Sequence, residues 1–444
     1  MTEDHRSLAP ERPAGDPDVA RVDGLDQAIA AVLPALEAFN RFEGPDRAGL
    51  RSEWLRAIDE PLPEQGVGLD AVLEILRDVV IPRGLRTGHP GFTSWVTTAP
   101  TTSASVGHLV SAVASPQRWW QQPGNHLDAM AVRWCLDLLG FPDSFVGTFT
   151  SGGSTANLVG IGAARQHAGE RIGIDPSLDG IVGLPEPRVY ATSEVHQVVT
   201  RAMGVLGMGR RHCRSVPMDP SRRADLDALD AMIREDLAAG RTPVAVVGNA
   251  GDVNTGIVDP LPQMAAIAHE HGIWFHVDGA YDRERTPTEP AGDLESPWSV
   301  IGGRADWSVD FSVPTRGLPV WAVLKEIGAE GMRERVRRHN DFARIVADHA
   351  RREPELELLS EPQLSIACFR YRPQGWDDQE RLNELNAAIL AELRRVGRSL
   401  PSSTDVDGAF AIRACYINPR NDREHVEHLI ADVLEAGRKL SAER

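Results

Sequence analysis

Short apolar runs alternate with helical patterns over residues 145–281, and this alternation limits the possible fold more than any other feature of the chain. The runs are FVGTF, RVYAT, VAVVGNAG and IWFHVDGAY, and segments with the periodicity of amphipathic helices separate them. Strands made of continuous apolar residues are buried on both faces, as in parallel sheets covered by helices. The pattern therefore predicts an α/β domain built from βαβ units.

Helical patterns dominate the rest of the chain. Residues 25–39 and 69–81 carry apolar residues at spacings of three and four, which predicts amphipathic helices. A long helix is predicted over residues 316–351. The last hundred residues or so predict the order strand, helix, strand, helix, with the helices over 377–398 and 422–440.

These elements suggest four segments. Residues 1–24 are charged and Pro-rich and lack the apolar core of a secretory signal, so we expect a disordered leader. Residues 25–85 are expected to form an N-terminal helical arm and residues 86–350 a large α/β domain. Residues 351–444 are expected to form a small α+β domain.

Composition excludes several classes of protein. With 42% hydrophobic and 25% charged residues, the 444-residue chain has the composition of a globular protein, and it contains no apolar run long enough to span a membrane. Its formal net charge of −17 disfavours nucleic acid as a partner. The four cysteines are scattered and form no CxxC, which favours a reducing cytoplasm and argues against a metal site or a disulfide framework.

A glycine pair opens a predicted helix in the segment TFTSGGSTANL, residues 148–158. Gly152 and Gly153 allow a ligand to approach the backbone, and Ser154 and Asn157 follow in the first helical turn. The N–H groups and positive end of a helix attract an anion. No lysine follows, so this is not a Walker A loop, and the glycine spacing is not that of a dinucleotide-binding loop. Both a phosphate site and a serine-capped turn fit the pattern.

A serine nucleophile is a remote alternative for the same segment. The residues around Ser154 differ at one position from the G-x-S-x-G turn of serine hydrolases. However, no HGGG-like loop precedes it, and no histidine late in the chain stands out as its base. The pattern therefore favours a phosphate site over a hydrolase.

Two further candidates lie where parallel strands are predicted to end. Asp278 follows the strand IWFHV, and His196 is near the start of a helix expected over residues 195–206. Ligands of open α/β sheets bind at the carboxyl ends of the strands. Taken singly, Asp278 fits either a counter-ion for a bound cation or a helix cap, and His196 fits a solvated or capping residue. We expect both on one rim of the sheet with the glycine pair and the NAGDVNTG segment.

This combination suits pyridoxal 5'-phosphate. The helix start can hold the phosphate, the imidazole can stack on the pyridine ring, and a carboxylate beside the ring nitrogen raises the pKa of that nitrogen. A protonated ring is the electron sink that stabilises a carbanion at the Cα of an amino acid.

The chain resembles the group II pyridoxal-phosphate-dependent decarboxylases, a family acting on aromatic amino acids, histidine, glutamate or diaminobutyrate. The similarity extends from about residue 25 to the C-terminus, and several motifs occur in the family order. These motifs are HPGFTSWVTTAPT, ASPQRWW, TSGGSTANLVGIGAAR, EVHQVVTRA, NAGDVNTGIVDPL, WFHVDGAY, DFSVPTRGLPVWAVLKEIG and FAIRACYINPR. The resemblance implies an α/β fold of the aspartate aminotransferase type (fold type I), pyridoxal phosphate as cofactor and a homodimer.

The resemblance also implies roles for individual residues at the cofactor. The matching positions are Gly153, Ser154, Asn157, His196, Asp278 and Ala280. By this likeness the first three hold the phosphate, His196 stacks on the ring and Asp278 pairs with the ring nitrogen, while Ala280 packs under the ring. His196 and Asp278 are accordingly the expected catalytic residues.

Substrate recognition is expected from the loop that begins at His89. Trp95 and Val96 match positions that recognise the substrate side chain, and Thr98 matches a position near the substrate carboxylate. In NAGDVNTG the threonine often found near the cofactor is replaced by Val253. Two neighbours are secondary candidates, namely Asn254 and Thr255.

The lysine that forms a Schiff base with the cofactor in this family is missing from its expected place. Family members continue from the strand that contains HVD through a further strand to a His-Lys pair, whereas Tyr281 here is followed directly by DRERTPTEP. Several tens of residues are therefore expected to be missing between Tyr281 and Asp282. Of the 47 basic residues only Lys325 and Lys439 are lysines, and neither lies at a matching position.

Decarboxylation of an L-amino acid, aromatic or diaminobutyrate-like, to its amine and CO₂ is the function that the resemblance implies. The absent lysine leaves two explanations open. The chain is either a shortened form of an active enzyme or a natural pseudoenzyme that binds pyridoxal phosphate without a covalent bond.

Overall fold

The structure is a computed structural model that describes residues 24–43, 51–115, 117, 123–279, 309–310 and 313–443. Residues 1–23 of the expected leader, Ala280 and the expected junction after Tyr281 lie outside the described residues. Two compact units divide the chain, Met1–His89 and Pro90–Arg444. In the described part of the chain, no helix has the length and apolar character that a membrane span requires.

The first unit contains the helices predicted from the apolar periodicity. The predicted helices are α1 (Leu25–Asn40) and α3 (Leu69–Ile75), and a π-helical turn over Leu76–Val80 continues α3. The unit also contains α2 (Arg51–Ile58), which was not predicted. Arg86 donates hydrogen bonds to the carbonyl groups of Phe42 and Glu43, 3.0 Å each. These bonds connect the end of the unit to the residues that follow α1. Neither α1 nor α3 has a buried residue, so the apolar side chains of this unit have little core of their own to cover.

A four-stranded parallel sheet forms the centre of the second unit. Its strands are β2 (Pro187–Thr192), β3 (Cys213–Val216), β4 (Thr242–Asn249) and β5 (Trp274–Asp278), in the spatial order β3-β2-β4-β5. All eight residues of β4 are buried, as expected of a central parallel strand. The predicted α/β fold is confirmed, and three of the four predicted strands are present.

Helices cover both faces of this sheet. They are α6 (Gly153–Arg171), α8 (Gln197–Val205), α9 (Leu226–Ala238) and α10 (Leu261–Glu270), with the short α7 (Pro176–Asp179) after α6. Because side chains alternate along a strand, Val189 of β2 packs in a core with α6 and α8, whereas Tyr190 packs in a core with α9 and α10. The sheet is therefore doubly covered.

The predicted strand FVGTF is wrong. Residues 144–150 have no regular secondary structure, and the side chains of Phe145 and Val146 are exposed. Apolar character predicts where a strand is possible, but a strand forms only where a neighbour supplies hydrogen-bond partners. Phe145 instead stacks on Phe141, with 4.8 Å between the ring centroids.

A second sheet contains the C-terminal strands in the order β1-β8-β9-β7-β6. The strands are β1 (Phe92–Thr93), β6 (Leu356–Ser360), β7 (Ile366–Tyr371), β8 (Leu400–Val406) and β9 (Ala409–Cys415). β1 pairs in parallel with β8, and the other pairings are antiparallel. The two predicted C-terminal strands are present as β7 and β9, whereas β1, β3, β6 and β8 were not predicted.

The remaining helices of this unit are α4 (Thr102–Ala114), α5 (Pro123–Leu139), α11 (Gly317–Arg352), α12 (Gln379–Val396) and α13 (Arg423–Ala442). The three predicted helices over 316–351, 377–398 and 422–440 correspond to α11, α12 and α13. α11 is kinked at Gly328, where φ is 68° and ψ is 177°. Residues of α11, α12 and α13 form one core with β7 and β9.

Candidate active site

Three neighbouring parallel strands bring the predicted site residues to one edge of the sheet. His196 follows β2, the loop 250–258 follows β4, and Asp278 is the last residue of β5. Neighbouring strands are about 4.8 Å apart, so the ends of β2 and β5 are about 10 Å apart across β4. A substituted pyridine ring can bridge that distance.

The predicted phosphate site lies at the start of α6. Gly152 has φ 149° and ψ 176°, a conformation that residues with a side chain rarely adopt, and α6 begins at Gly153. The Thr150 hydroxyl donates to the carbonyl of Gly152 (3.0 Å), and the hydroxyls of Ser151 and Thr155 are 2.6 Å apart. Residues 151–154 are exposed, so the first N–H groups of the helix are accessible to an anion.

Asp278 is connected to α6 through Asn157. The side-chain amide of Asn157 donates to Asp278 Oδ2 (3.4 Å) and to the Gly153 carbonyl (3.0 Å), and its oxygen lies 2.8 Å from His276 Nε2. Asn157 is 4% exposed. Burial lowers the pKa of His276 below its ordinary value, although the Asp278 carboxylate raises it. One buried amide therefore joins the turn into α6 to the predicted counter-ion.

His196 lies at the N-cap of α8, and its Nδ1 accepts a hydrogen bond from the N–H of Val198 (3.3 Å). An Nδ1 that accepts leaves the proton of a neutral imidazole on Nε2. The capping role suggested by the sequence is thus present. The same side chain also lines a pocket, so the capping hydrogen bond fixes the orientation of the imidazole ring relative to that pocket.

A pocket of about 340 Å³ lies beside this edge of the sheet. The residues that line it come from the loop after β1, the loops after β2 and β4, and strands β8 and β9. They are Trp95, Val96, His196, Val253, Asn254, Ser403 and Arg413. Three of the side chains are apolar and one carries a full positive charge.

That charge belongs to Arg413, which is 3% exposed. Its Nε donates to the carbonyl of Asn254 (3.0 Å) and its Nη1 donates to Ser402 Oγ (3.2 Å). Its Nη2 is buried and has no hydrogen-bond partner among the described residues. A buried polar atom without a partner is costly, and an anionic ligand in the pocket would satisfy this one.

The loop after β4 holds Asn254 in place. Asp252 accepts hydrogen bonds from the backbone N–H groups of Asn254 (2.8 Å) and Thr255 (2.7 Å). The Asn254 side chain donates to Glu194 (2.7 Å) and accepts from Thr404 (2.9 Å). The loop thereby connects the segment before His196 to the strand beside Arg413.

Cys368 makes a further contact with this loop. Its thiol donates to the carbonyl of Asn254 at 3.3 Å, and burial raises the pKa of the thiol to about 12. The thiol is therefore protonated near neutral pH and acts as a donor rather than a nucleophile.

Several candidate residues named from the sequence do not line this pocket. His89 belongs to the first unit, where its ring packs edge-on against Phe42. Thr98 does not line the pocket, and its buried hydroxyl has no hydrogen-bond partner among the described residues. Thr255 is buried and donates to Asp252, a contact within its own loop. Ser154 has no hydrogen bond to a histidine in the described part of the chain, as a serine nucleophile would require.

Three residues were missed by sequence reasoning: Ser403, Arg413 and His276. An arginine within the apolar strand FAIRAC was a usable signal, because a charged residue is rarely buried without a partner. His276 had no comparable signal in the sequence, because its place in the site follows from its contact with Asn157, which lies 119 residues earlier in the chain.

Comparison with known proteins identifies the family of this chain. The family model described as "Pyridoxal-dependent decarboxylase conserved domain" matches residues 52–283 and 293–372. An aromatic-L-amino-acid decarboxylase of Bacillus atrophaeus is 26% identical over 439 residues, which cover 86% of this chain and 88% of that protein. An L-2,4-diaminobutyrate decarboxylase of Acinetobacter baumannii is 23% identical over 483 residues, covering 95% and 94% of the two chains.

Solved structures share the fold. The crystal structure of Oryza sativa TDC with PLP and tryptamine superposes with a TM-score of 0.79 at 20% identity, covering 95% of this chain and 100% of that chain. The family match includes most of the chain and contains the turn into α6, His196, the loop after β4 and Asp278. The chain belongs to the pyridoxal-dependent decarboxylase family.

Proposed function

We propose that this chain binds pyridoxal 5'-phosphate and an aromatic L-amino acid, and that its site is built for loss of CO₂ from that amino acid. The proposal depends above all on Arg413, a buried cation with an unpartnered nitrogen in an otherwise mostly apolar pocket beside His196. The α-carboxylate of an amino acid is an anion that this guanidinium can bind through charge-assisted hydrogen bonds.

Each group of residues has a separate task in this proposal. The N–H groups at the start of α6 bind the phosphate, and Asp278 pairs with the ring nitrogen and keeps it protonated. His196 packs over the ring and limits access of water. Arg413 holds the carboxylate and fixes the orientation of the bond to be broken. When bound, the cofactor supplies the electron sink for the pair that this bond releases.

The pocket wall favours an aromatic side chain over a second amine. Trp95, Val96 and Val253 offer apolar surface, and none of the seven residues that line the pocket is acidic. An ammonium group such as that of diaminobutyrate would enter this wall without a counter-charge, at a cost in affinity. This comparison supports the aromatic class.

A second candidate function is that of a cofactor-binding homologue with strongly reduced turnover. It is favoured by the two lysines: Lys325 is exposed on α11, and Lys439 pairs with Glu392 on α12. The family match is also interrupted between residues 283 and 293, close to the expected junction after Tyr281. Without a lysine at the site, the cofactor would be held by reversible contacts only.

Stable adducts test the site without requiring turnover. N-phosphopyridoxyl-L-phenylalanine carries the cofactor ring, an aromatic side chain and the carboxylate, and the corresponding diaminobutyrate adduct differs only in the side chain. We expect calorimetry to show tighter binding of the phenylalanine adduct. If the two adducts bind with equal affinity, the proposed preference for aromatic substrates is wrong. If neither adduct binds, the proposed site is wrong.

We also propose that the protein is a homodimer of the cytoplasm. α4 presents a stripe of exposed apolar side chains on one helical face, formed by Val106, Leu109, Val110 and Val113. We expect a second copy of the chain to cover this stripe. The apolar residues of α1 and α3 in the first unit are uncovered as well, and dimerisation is the way in which such surfaces are buried. All four cysteines are free thiols, which supports a reducing compartment.

A further inference from the structure

His276 is the half-buried neighbour of Asp278 that the proposed function leaves without a task. The two residues are separated only by Val277 on β5, so their side chains point to the same face of the sheet. His276 and Asp278 both reach Asn157 on α6, at 2.8 Å and 3.4 Å respectively. The amide thus connects the two side chains.

The orientation of the Asn157 amide follows from its partners. One end faces the Gly153 carbonyl and the Asp278 carboxylate, and both of these groups accept hydrogen bonds. That end is therefore the nitrogen, and the oxygen faces His276. Since an amide oxygen only accepts, His276 must donate from Nε2.

Packing fixes the position of this donor. A Cβ atom at Gly160 on α6 would lie 2.5 Å from His276 Cε1, so the imidazole fits only because residue 160 is glycine. The ring is held between β5 and α6, and Nε2 is directed at Asn157. Any movement of the imidazole would shift the amide and, with it, the hydrogen bond to Asp278 Oδ2.

We propose that His276 is a positioning residue: through Asn157 it orients the Asp278 carboxylate toward the ring nitrogen of the cofactor. This inference rests on the proposed function, because it assumes that Asp278 meets a pyridine ring. It predicts that loss of the His276 donor weakens recognition of the ring nitrogen specifically.

Two probes isolate that recognition. Pyridoxamine 5'-phosphate needs no lysine for binding, and its 1-deaza analogue has C–H in place of the ring nitrogen. We expect the parent protein to prefer pyridoxamine phosphate in calorimetry. His276→Leu should lower the affinity for pyridoxamine phosphate about tenfold, the contribution of one hydrogen bond, and leave the affinity for the deaza analogue unchanged. His276→Gln, which can donate from a similar position, should restore most of the loss.

Asn157→Ala provides a second route that does not alter β5. With Asn157 already replaced by alanine, His276→Leu should cause no further loss of affinity for pyridoxamine phosphate, because the two residues act in series. Equal weakening of both probes by His276→Leu, or additive effects in the double variant, would overturn the positioning role. A parent protein that does not distinguish the two probes would instead contradict the proposed partnership of Asp278 with the ring nitrogen.

Discussion

At the scale of single residues, Arg413 contributes a charge that the site itself does not neutralise. Among the described residues it forms no ion pair, and its two hydrogen bonds go to a carbonyl and a hydroxyl. The other buried arginine of the neighbouring strand, Arg370, differs in this respect because it pairs with Glu357 at 2.6 Å. A guanidinium held by neutral groups in a pocket is suited to an anion that arrives with a ligand.

Replacing this charge should affect only ligands with a carboxylate. Arg413→Met keeps an unbranched chain but removes the guanidinium, and we expect it to weaken N-phosphopyridoxyl-L-phenylalanine about 10- to 100-fold, or about 1.5–3 kcal/mol for a charge-assisted contact. The matched ligand is N-phosphopyridoxyl-phenethylamine, which lacks only the carboxylate and should bind equally to both proteins in calorimetry. Similar losses with both ligands would show that Arg413 supports the fold rather than the substrate.

At the scale of elements, the turn into α6 depends on the backbone conformation of Gly152. A side chain there would be strained, and the turn could relax only by moving the first N–H groups of α6. The position of the proposed phosphate site therefore depends on the φ angle of Gly152 rather than on a particular side chain.

A comparison of two glycines tests the turn. Gly152→Val should remove the thermal protection that pyridoxal phosphate or inorganic phosphate gives to the parent protein. Gly240→Val introduces a side chain at another positive φ, 71°, outside the site, and should lower the unfolding midpoint while retaining the protection. Protection that survives in Gly152→Val would remove this turn from the cofactor site.

A buried carboxylate ties α9 to the neighbouring strands. Asp236 is fully buried, accepts from the Tyr190 hydroxyl (2.7 Å), and pairs with Arg214 (2.7 Å) and Arg241 (2.8 Å). Burial raises the pKa of this carboxyl, but the arginines and the tyrosine outweigh burial and hold it below its ordinary value. The carboxylate therefore stabilises the folded chain above the ordinary pKa of 3.8, and that stabilisation is lost as the pH falls below it.

Asp236→Asn should remove this acid dependence. We expect the free energy of unfolding at pH 7 to fall by about 3 kcal/mol, because the arginines lose a buried partner. The difference between parent and variant should shrink as denaturant midpoints are measured from pH 6 toward pH 3. A difference that stays constant over this range would mean that the carboxylate charge does not supply the stability.

At the scale of the whole molecule, the exposed apolar stripe of α4 predicts that the protein is a dimer. Val110→Glu places a charge in the middle of this stripe, and light scattering at micromolar concentration should show a dimer for the parent and a monomer for the variant. Val182→Glu, at a side chain that is 97% exposed in a loop, serves as the control and should leave the dimer intact. A parent protein that is a stable monomer would refute the assembly.

The lysine content predicts whether the protein binds its cofactor covalently. Because pyridoxal phosphate is expected to be held only by reversible contacts, dialysis should remove it and borohydride should fix none of it to the chain. Decarboxylase activity should be at least some thousandfold below that of an enzyme with the lysine, a loss of roughly 4 kcal/mol. Inserting the segment with the His-Lys pair from a close relative after Tyr281 should restore covalent attachment and activity together. Stable pyridoxyl labelling of the parent site would show that an amine of this chain replaces the lysine.

The sequence by itself determined the doubly covered parallel sheet, three of its four strands and the positions of His196 and Asp278 near strand ends. It could do so because burial on both faces leaves a continuous apolar signal, and because chain order places parallel strand ends on one edge. Only the tertiary structure decided that FVGTF is not a strand, that Arg413 faces the pocket, and that His276 reaches Asp278 through Asn157. These features depend on pairing and packing between residues far apart in the chain, for which local apolar periodicity carries no signal.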